Sequence, residues 1–425
     1  MSSSAPRREL NPWYIAVVAG MASYLDAAVI VSTGTSLVLY EDPLGLTGDE
    51  IGVLSFALTL GLAIGSVTGG RLGDRFGRKP VFGVTMLGIA VAMALNVCAT
   101  GFPMLLAGAI LGGLSSGADL PVSIATIAEA ANDENRGKMV SFSQVLWTVG
   151  IVIPLVLAVA FGGLDRLGGQ ISFGHIGVIA LLVLACRVGL PESPVWLAAR
   201  AERQREGGAA RTERVPIRAL LKGTYAVPFV CLLLFYPLVN LAGNTSGQFG
   251  TYLWVNVADS TVEFSSLIGL IGLTLALLFA VLFMRVVDTR YRMPVFYAGA
   301  ACYVLSHLTP TVFGVSAATL AVWQLLLAIA NSIAFEAVFK VWAQESFPTL
   351  LRATAQGTII AVARLLAAVL ALVTPRLAAA GPQGLFAMLT ALVVIGMAAA
   401  IIGFRNHTNN EFPTHANPTE PARAH

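Results

Sequence analysis

Apolar residues along this chain gather in about twelve long runs separated by short polar joints, not in the one-in-two alternation of half-buried strands. The runs cover roughly 13–38, 51–70, 80–99, 103–130, 139–161, 171–190, 225–254, 264–284, 294–313, 316–343, 353–377 and 383–404. Each is long enough, as a helix, to cross about 30 Å of hydrocarbon. Inside hydrocarbon a segment must satisfy its own backbone, which selects helices, and no membrane-barrel alternation is present. The pattern therefore predicts an all-α polytopic membrane protein. A longer polar segment, 191–222, splits the runs six and six and carries seven basic residues from Arg200 to Lys222. It divides the chain into a six-helix bundle over 1–190, a cytoplasmic linker over 191–222, and a second bundle over 223–425 with a short tail.

The polar joints repeat. Arg71, Asp74, Arg78, Pro80, Val81 and Phe82 return as Arg285, Asp288, Arg292, Pro294, Val295 and Phe296, each 214 residues later. Glu129 and Arg136, seven apart after the fourth run, return as Glu345 and Arg352 after the tenth. Two charged islands at nearly equal offsets mark a duplication, hence two pseudo-symmetric halves. In the second copy Val287 and Tyr291 replace Gly73 and Gly77, so the first loop is expected to make the tighter turn.

Composition narrows the class. The 425 residues are 56% hydrophobic and 12% charged, against about 25% charged for a soluble domain. The net charge of +3 gives no reason to invoke nucleic acid. Lys and Arg concentrate in the joints of one side (Arg71, Arg75, Arg78, Lys79, Lys138, Arg290, Arg292), while Glu41, Asp42, Asp49, Glu50, Asp259 and Glu263 lie on the other. The basic side is read as cytoplasmic, with both termini there, in the cell membrane. The four cysteines have no metal-ligand spacing and read as packing residues. No phosphate-binding loop or catalytic triad motif occurs, so an enzyme is not expected, nor any cofactor.

Charges within apolar runs are costly, on the order of 3 kcal/mol at mid-bilayer, and usually face a cavity. They are Asp26, Asp119, Glu336, Lys340 and Arg364. Asp26 and Asp119 are candidates for loading and releasing a proton, or else structural acceptors. Glu336 and Lys340, four apart on one helix face, either neutralise each other or offer Lys340 to a solute. Arg364 can fork onto a carboxylate or bond helix carbonyls. Asn240, Asn244, Ser246, Gln248 and Tyr252 give the seventh run a polar face. Trp147, Trp254, Trp323 and Trp342 are cavity walls or interfacial anchors. His307 is read as a packing residue. The loop charges Asp74, Arg75, Arg78, Glu129 and Arg136, with Asp288, Arg292, Glu345 and Arg352 opposite, are candidates for ion pairing.

Four motifs resemble the major facilitator superfamily and, within it, sugar-porter-like metabolite transporters. They are Gly70 to Lys79; Pro121-Val122 with Glu129 and Arg136-Gly137; Pro191-Glu192-Ser193-Pro194-Val195-Trp196-Leu197; and Glu345-Ser346-Phe347-Pro348-Thr349 with Arg352. The resemblance implies two six-helix bundles rocking about a central cavity, with the loop charges as an inner-gate latch. It implies that Asp26 couples protons and that Gln144 and Asn244 contact solute. Ala109 stands where the family has a helix 4 arginine, Ile151 replaces a second glutamine, and Leu238 and Val239 replace a Gln-Gln pair. The expected activity is proton-coupled symport of a small polar solute, an organic acid, polyol or sugar-like molecule, by a monomer in a lipid bilayer. Drug/proton antiport is the alternative, followed by a non-transporting sensor.

Overall fold

The computed structural model describes residues 11–131, 136–193, 196–198, 200–201, 220–221, 225–286, 289–347 and 349–405. Among the described residues there are thirteen α-helices and no strand. They are α1 (Pro12–Leu44), α2 (Gly48–Phe76), α3 (Arg78–Val97), α4 (Phe102–Ala130), α5 (Arg136–Phe161), α6 (Arg166–Val188), α7 (Ala226–Asn256), α8 (Val262–Met284), α9 (Arg292–Phe313), α10 (Ala317–Ala334), α11 (Glu336–Ser346), α12 (Thr349–Ala380) and α13 (Pro382–Phe404). Most of the 191–222 segment lies outside the described residues.

Local chemistry sets the helix ends. Asn11 accepts from the Trp13 amide at 2.9 Å and Pro12 opens α1. Thr47 and Glu50 form a capping box on α2, and Thr261 caps α8. Gly45, in the left-handed region, closes α1. That stop lies six residues past the expected one, because Leu39 to Leu44 continue the helix beyond the apolar run.

Eleven segments are long and apolar enough to cross a membrane, with Ala317–Ala343 counted as one. The twelfth crossing is α9, whose 22 residues span about 33 Å and whose apolar character is diluted by Ser306, His307, Thr309 and Thr311. The tenth run departs from expectation. The backbone breaks at Phe335 (φ −129°, ψ −101°), so the helix stops at Ala334 and restarts at Glu336.

Twelve crossings place Pro12 and Phe404 at the same end, called here the near end. Helices α1–α6 and α7–α13 form the two sets, which meet where α1 faces α7, α2 faces α12 and α5 faces α8. At the far end the sets approach to backbone distance. A Cβ on Gly34 of α1 would lie 2.7 Å from the Gln248 carbonyl of α7, and one on Gly52 of α2 would lie 2.7 Å from the Leu372 carbonyl of α12.

Candidate functional site

The duplicated charges form matching pairs at the near end. Arg78 Nη2 meets Glu129 Oε1 at 2.7 Å and Arg78 Nη1 meets Asp74 Oδ1 at 2.9 Å. Arg292 Nη1 meets Glu345 Oε1 at 2.7 Å. Each pair stays within one set: Arg78, at the start of α3, is tied to the ends of α2 and α4, and Arg292, at the start of α9, to the end of α11. Arg75 is exposed and lies over the Phe76 ring. Asp288 and the side chains of Arg136 and Arg352 fall outside the described residues. The first loop does make the tighter turn. Gly77 has φ +101°, whereas Tyr291 has φ −86°. The Glu192 carboxylate accepts from the backbone amides of Arg78 (2.8 Å) and Lys79 (3.2 Å). Trp196 Nε1 donates to the Asp74 carbonyl at 3.0 Å. The Pro191–Leu197 motif thus caps α3 and fastens the loop before it, a role its sequence did not reveal.

Asp119 is held in an ion pair. Its Oδ1 lies 2.6 Å from Arg187 Nη1, with both side chains 1% exposed. Thr85 Oγ1 donates to the same carboxylate at 2.8 Å and Ser123 Oγ at 3.3 Å. Arg187 also donates to the carbonyls of Val18 (3.3 Å) and Ala19 (3.0 Å) and stacks on Phe82 at 4.2 Å. The network joins α1, α3, α4 and α6. Sequence reasoning passed over Arg187, although the same cost of an intramembrane charge would have flagged it.

Between the two sets lies a second group of polar residues. Asp26 of α1 is 4% exposed, and its Oδ1 is buried with no hydrogen-bond partner. The Trp147 indole of α5 hydrogen-bonds its carboxylate, and the positive charge of Arg364 of α12 lies within electrostatic reach. Arg364 also donates to the Leu62 carbonyl of α2 at 3.5 Å and faces the Tyr236 hydroxyl, which hydrogen-bonds Glu336. Among the described residues no carboxylate oxygen lies within ion-pair distance of Arg364. Glu336 and Lys340 form their expected pair at 3.1 Å, both sides partly open to solvent. Because the helix restarts at Glu336, this pair occupies its first turns. The structure thus brings Asp26, Glu336 and Arg364 to one region and leaves Asp119 in another.

The polar face of α7 runs through Tyr236, Asn240, Asn244, Gln248 and Tyr252, spaced four apart. Gln248 Nε2 donates to Asn244 Oδ1 (2.9 Å) and, across the sets, to Thr59 Oγ1 of α2 (2.7 Å). Gln248 Oε1 is buried without a partner. Gln144 is exposed on α5, one turn nearer the near end than Trp147. Two more ties join the sets at the far end. Arg376 grips Asp49 through two bonds, of 2.6 and 3.0 Å, and Asn256 donates to Glu41 at 2.7 Å.

Three tryptophans and one histidine are core residues. Trp254 donates to Gln324 (2.9 Å), Trp323 donates to His307 Nε2 (3.3 Å), and Trp342 stacks on Phe404 at 4.3 Å. All three rings are fully buried, which rules out an interfacial-anchor position for them. Ala109 lines a small apolar space inside the first set with Val29, Leu58 and Phe173. No cation reaches Asp26 from that position of α4.

The arrangement is two helical sets with an unsatisfied carboxylate and a guanidinium between them, which suits binding and movement rather than bond-breaking chemistry. Comparison with known proteins agrees. The sequence profile of the Major Facilitator Superfamily matches residues 15–372. The minor myo-inositol transporter IolF of Bacillus subtilis is 34% identical over 367 residues, spanning 84% of this chain and 83% of that protein. The niacin transporter NiaP of Acinetobacter baylyi is 26% identical over 415 residues, 90% of each chain. Among solved structures, the inward-open xylose transporter XylE from E. coli superposes with TM-score 0.72 at 20% identity, covering 94% of this chain and 97% of that one.

Proposed function

We propose that this chain, which belongs to the major facilitator superfamily and is a membrane transporter of small solutes, carries a small polyhydroxylated metabolite together with a proton. Residues 1–190 and 223–425 would be its two rocking bundles. The observation that carries the reading is the buried Asp26 Oδ1, unpartnered on α1 between the two helical sets. A carboxylate there has a free lone pair for a proton, and its charge matters to both sets at once.

The substrate class rests on the acceptors and amides around it. Gln248 Oε1 is a second buried acceptor without a partner. Asn240, Asn244 and Gln144 add groups that both donate and accept. Hydroxyls, which also do both, complete such a set. The likeness to a myo-inositol transporter points the same way. Asp119, spent on Arg187, is left out of the proton path in this reading. The near-end pairs Arg78–Glu129 and Arg292–Glu345 would brace each bundle, and the basic loops would put that end in the cytoplasm. In that orientation the ties at Asp49–Arg376, Glu41–Asn256 and Gln248–Thr59 would close the outer side.

A second reading, a carboxylate-bearing solute, is favoured by Arg364, which has no ion pair of its own among the described residues, and by the likeness to a niacin transporter. One assay separates them. Purified protein in liposomes is offered radiolabelled myo-inositol or nicotinate with and without an inward proton gradient. Gradient-driven accumulation of myo-inositol supports the first reading. Accumulation of nicotinate alone selects the second, and uptake indifferent to the gradient removes proton coupling.

A further inference from the structure

Two polar side chains of α10 are spent inside the second bundle. Gln324 accepts the Trp254 indole proton at 2.9 Å, and Ser332 donates to the Ala328 carbonyl at 3.0 Å. Asn331 differs. Its Oδ1 accepts from the Tyr303 hydroxyl of α9 at 2.7 Å, while among the described residues its Nδ2 donates to no acceptor. Asn331 is half-buried and Tyr303 fully buried. The amide thus has its acceptor engaged toward the bundle interior and two N–H donors left over.

Tyr303 is held so that it can aim that amide. Its ring lies parallel to His307, with centroids 5.9 Å apart and planes within 5°, and meets Phe335 edge-on at 6.4 Å. His307 is fixed in turn. Its Nε2 accepts from Trp323 at 3.3 Å, and an indole only donates, so the ring proton sits on Nδ1, 3.1 Å from the Tyr303 carbonyl. A phenol has one proton, and here it goes to Asn331 Oδ1, which leaves Nδ2 as the end of the amide away from Tyr303. The side of α7 that meets this pair has no side chain to cover it. A Cβ on Gly243 would lie 3.4 Å from the Tyr303 hydroxyl and 3.7 Å from Asn331 Oδ1. One turn on, Gly247 is exposed, and a Cβ there would meet nothing within 4 Å. Asn240 and Asn244 share that face. Gly243 and Gly247 open a gap in the polar face of α7, and Asn331 stands beside it.

We propose that Asn331 is a solute-binding residue, its Nδ2 donating to a hydroxyl oxygen of the solute, and that Tyr303 is the positioning residue that aims it. The proposal rests on the polyhydroxylated-solute reading and deepens it, because it adds a directed donor to the free acceptor at Gln248 Oε1. Hydroxyls serve both, accepting at one and donating at the other. A solute without hydroxyls would cover the Asn331 donors and leave them unpaired, which selects against apolar cargo.

The probes are myo-inositol, its deoxy analogues lacking one hydroxyl each, and nicotinate, with equilibrium binding to the purified protein as the readout. Loss of one neutral hydrogen bond weakens binding about threefold to tenfold. Asn331→Ala should weaken myo-inositol by that factor. For the deoxy analogue that lacks the hydroxyl served by Nδ2, wild type and Asn331→Ala should bind alike. Tyr303→Phe removes a single oxygen atom and should also weaken myo-inositol, with no further loss when combined with Asn331→Ala. Thermal unfolding checks that the variants fold. The position is tested without solute as well: Asn331→Cys should react with a water-soluble thiol reagent above the wild-type background, and a cysteine that stays unreactive there overturns the proposal. Unchanged myo-inositol affinity in folded Asn331→Ala, or a loss equal for every deoxy analogue, overturns it while leaving the solute reading intact. Losses that multiply in the double variant overturn the positioning role of Tyr303. Wild type that binds nicotinate and no polyol overturns the solute reading and this proposal together, a pattern visible before any variant is made.

Discussion

Replacing Arg187 with methionine tests the buried network most directly. The substitution keeps a long apolar side chain over Phe82 but strips Asp119 of its partner at 2.6 Å. Both groups are 1% exposed, so water cannot take over the vacated bonds. Breaking a buried pair from one side costs about 3–5 kcal/mol. A second route gives a similar figure. The stranded carboxylate can escape by taking a proton. At pH 7 that costs about 1.36 kcal/mol for each unit above the free aspartate value of about 3.9, or about 4 kcal/mol. Thr85 and Ser123 remain as partners for a neutral acid. At pH 5 the same route costs only about 1.5 kcal/mol. For a bundle of this size each kcal/mol corresponds to about 2–4 °C of melting temperature. Thermal unfolding in detergent should thus show Arg187→Met melting about 8–16 °C below wild type at pH 7, with the gap more than halved at pH 5. The double variant Arg187→Met/Asp119→Leu should recover most of the loss, since an apolar pair can replace a buried ion pair at little cost. A variant as stable as wild type at pH 7, or a gap that ignores pH, would refute the reasoning.

Other outcomes follow from the same geometry. Asp26→Asn should abolish accumulation driven by a pH gradient while leaving solute exchange at equal pH, measured by counterflow in liposomes. Gly34→Leu or Gly52→Leu places side-chain atoms where a carbonyl sits 2.7 Å from the Cβ position. The far end should then fail to close, seen as faster labelling of Thr59→Cys by a membrane-impermeant thiol reagent. Gly77→Ala combines φ +101° with a Cβ 2.5 Å from the Glu192 carboxylate and should cost about 1–3 kcal/mol, read as a lower melting temperature. Glu345→Gln removes the only described carboxylate of the Arg292 pair. It should slow transport more than it lowers substrate affinity, a split visible in the maximal rate against the half-saturating concentration.

The transmembrane layout was legible because each crossing is a self-contained apolar run whose backbone bonds are local. The near-end charges were legible for a different reason: duplication repeats Arg78 as Arg292 and Glu129 as Glu345, while the pairing of these charges with one another came from the fold. What was hidden depends on distant residues meeting. Nothing local to Gln248 says that it meets Thr59, and nothing in Asp49 names Arg376. The break at Phe335 was hidden too, because no Gly or Pro marks it. Asp119 looked like a cavity charge until Arg187, sixty-eight positions away, turned out to consume it. Sequence gives the cost of a buried charge; only the fold shows what offsets it.

Among the described ion pairs, the far-end pair Asp49–Arg376 is the one that joins the two bundles, and it is open to solution, with side-chain exposures of 53% and 68%. Dissolved salt therefore reaches it, and attraction between exposed charges fades over about 8 Å at 0.15 M ionic strength. The described near-end pairs are each confined to one bundle. The balance between the protein's two faces should thus be tunable by ionic strength on the side that Asp49 faces. Salt facing Asp49 would favour opening there. Such a transporter would read the salinity of one compartment as an input distinct from its solute.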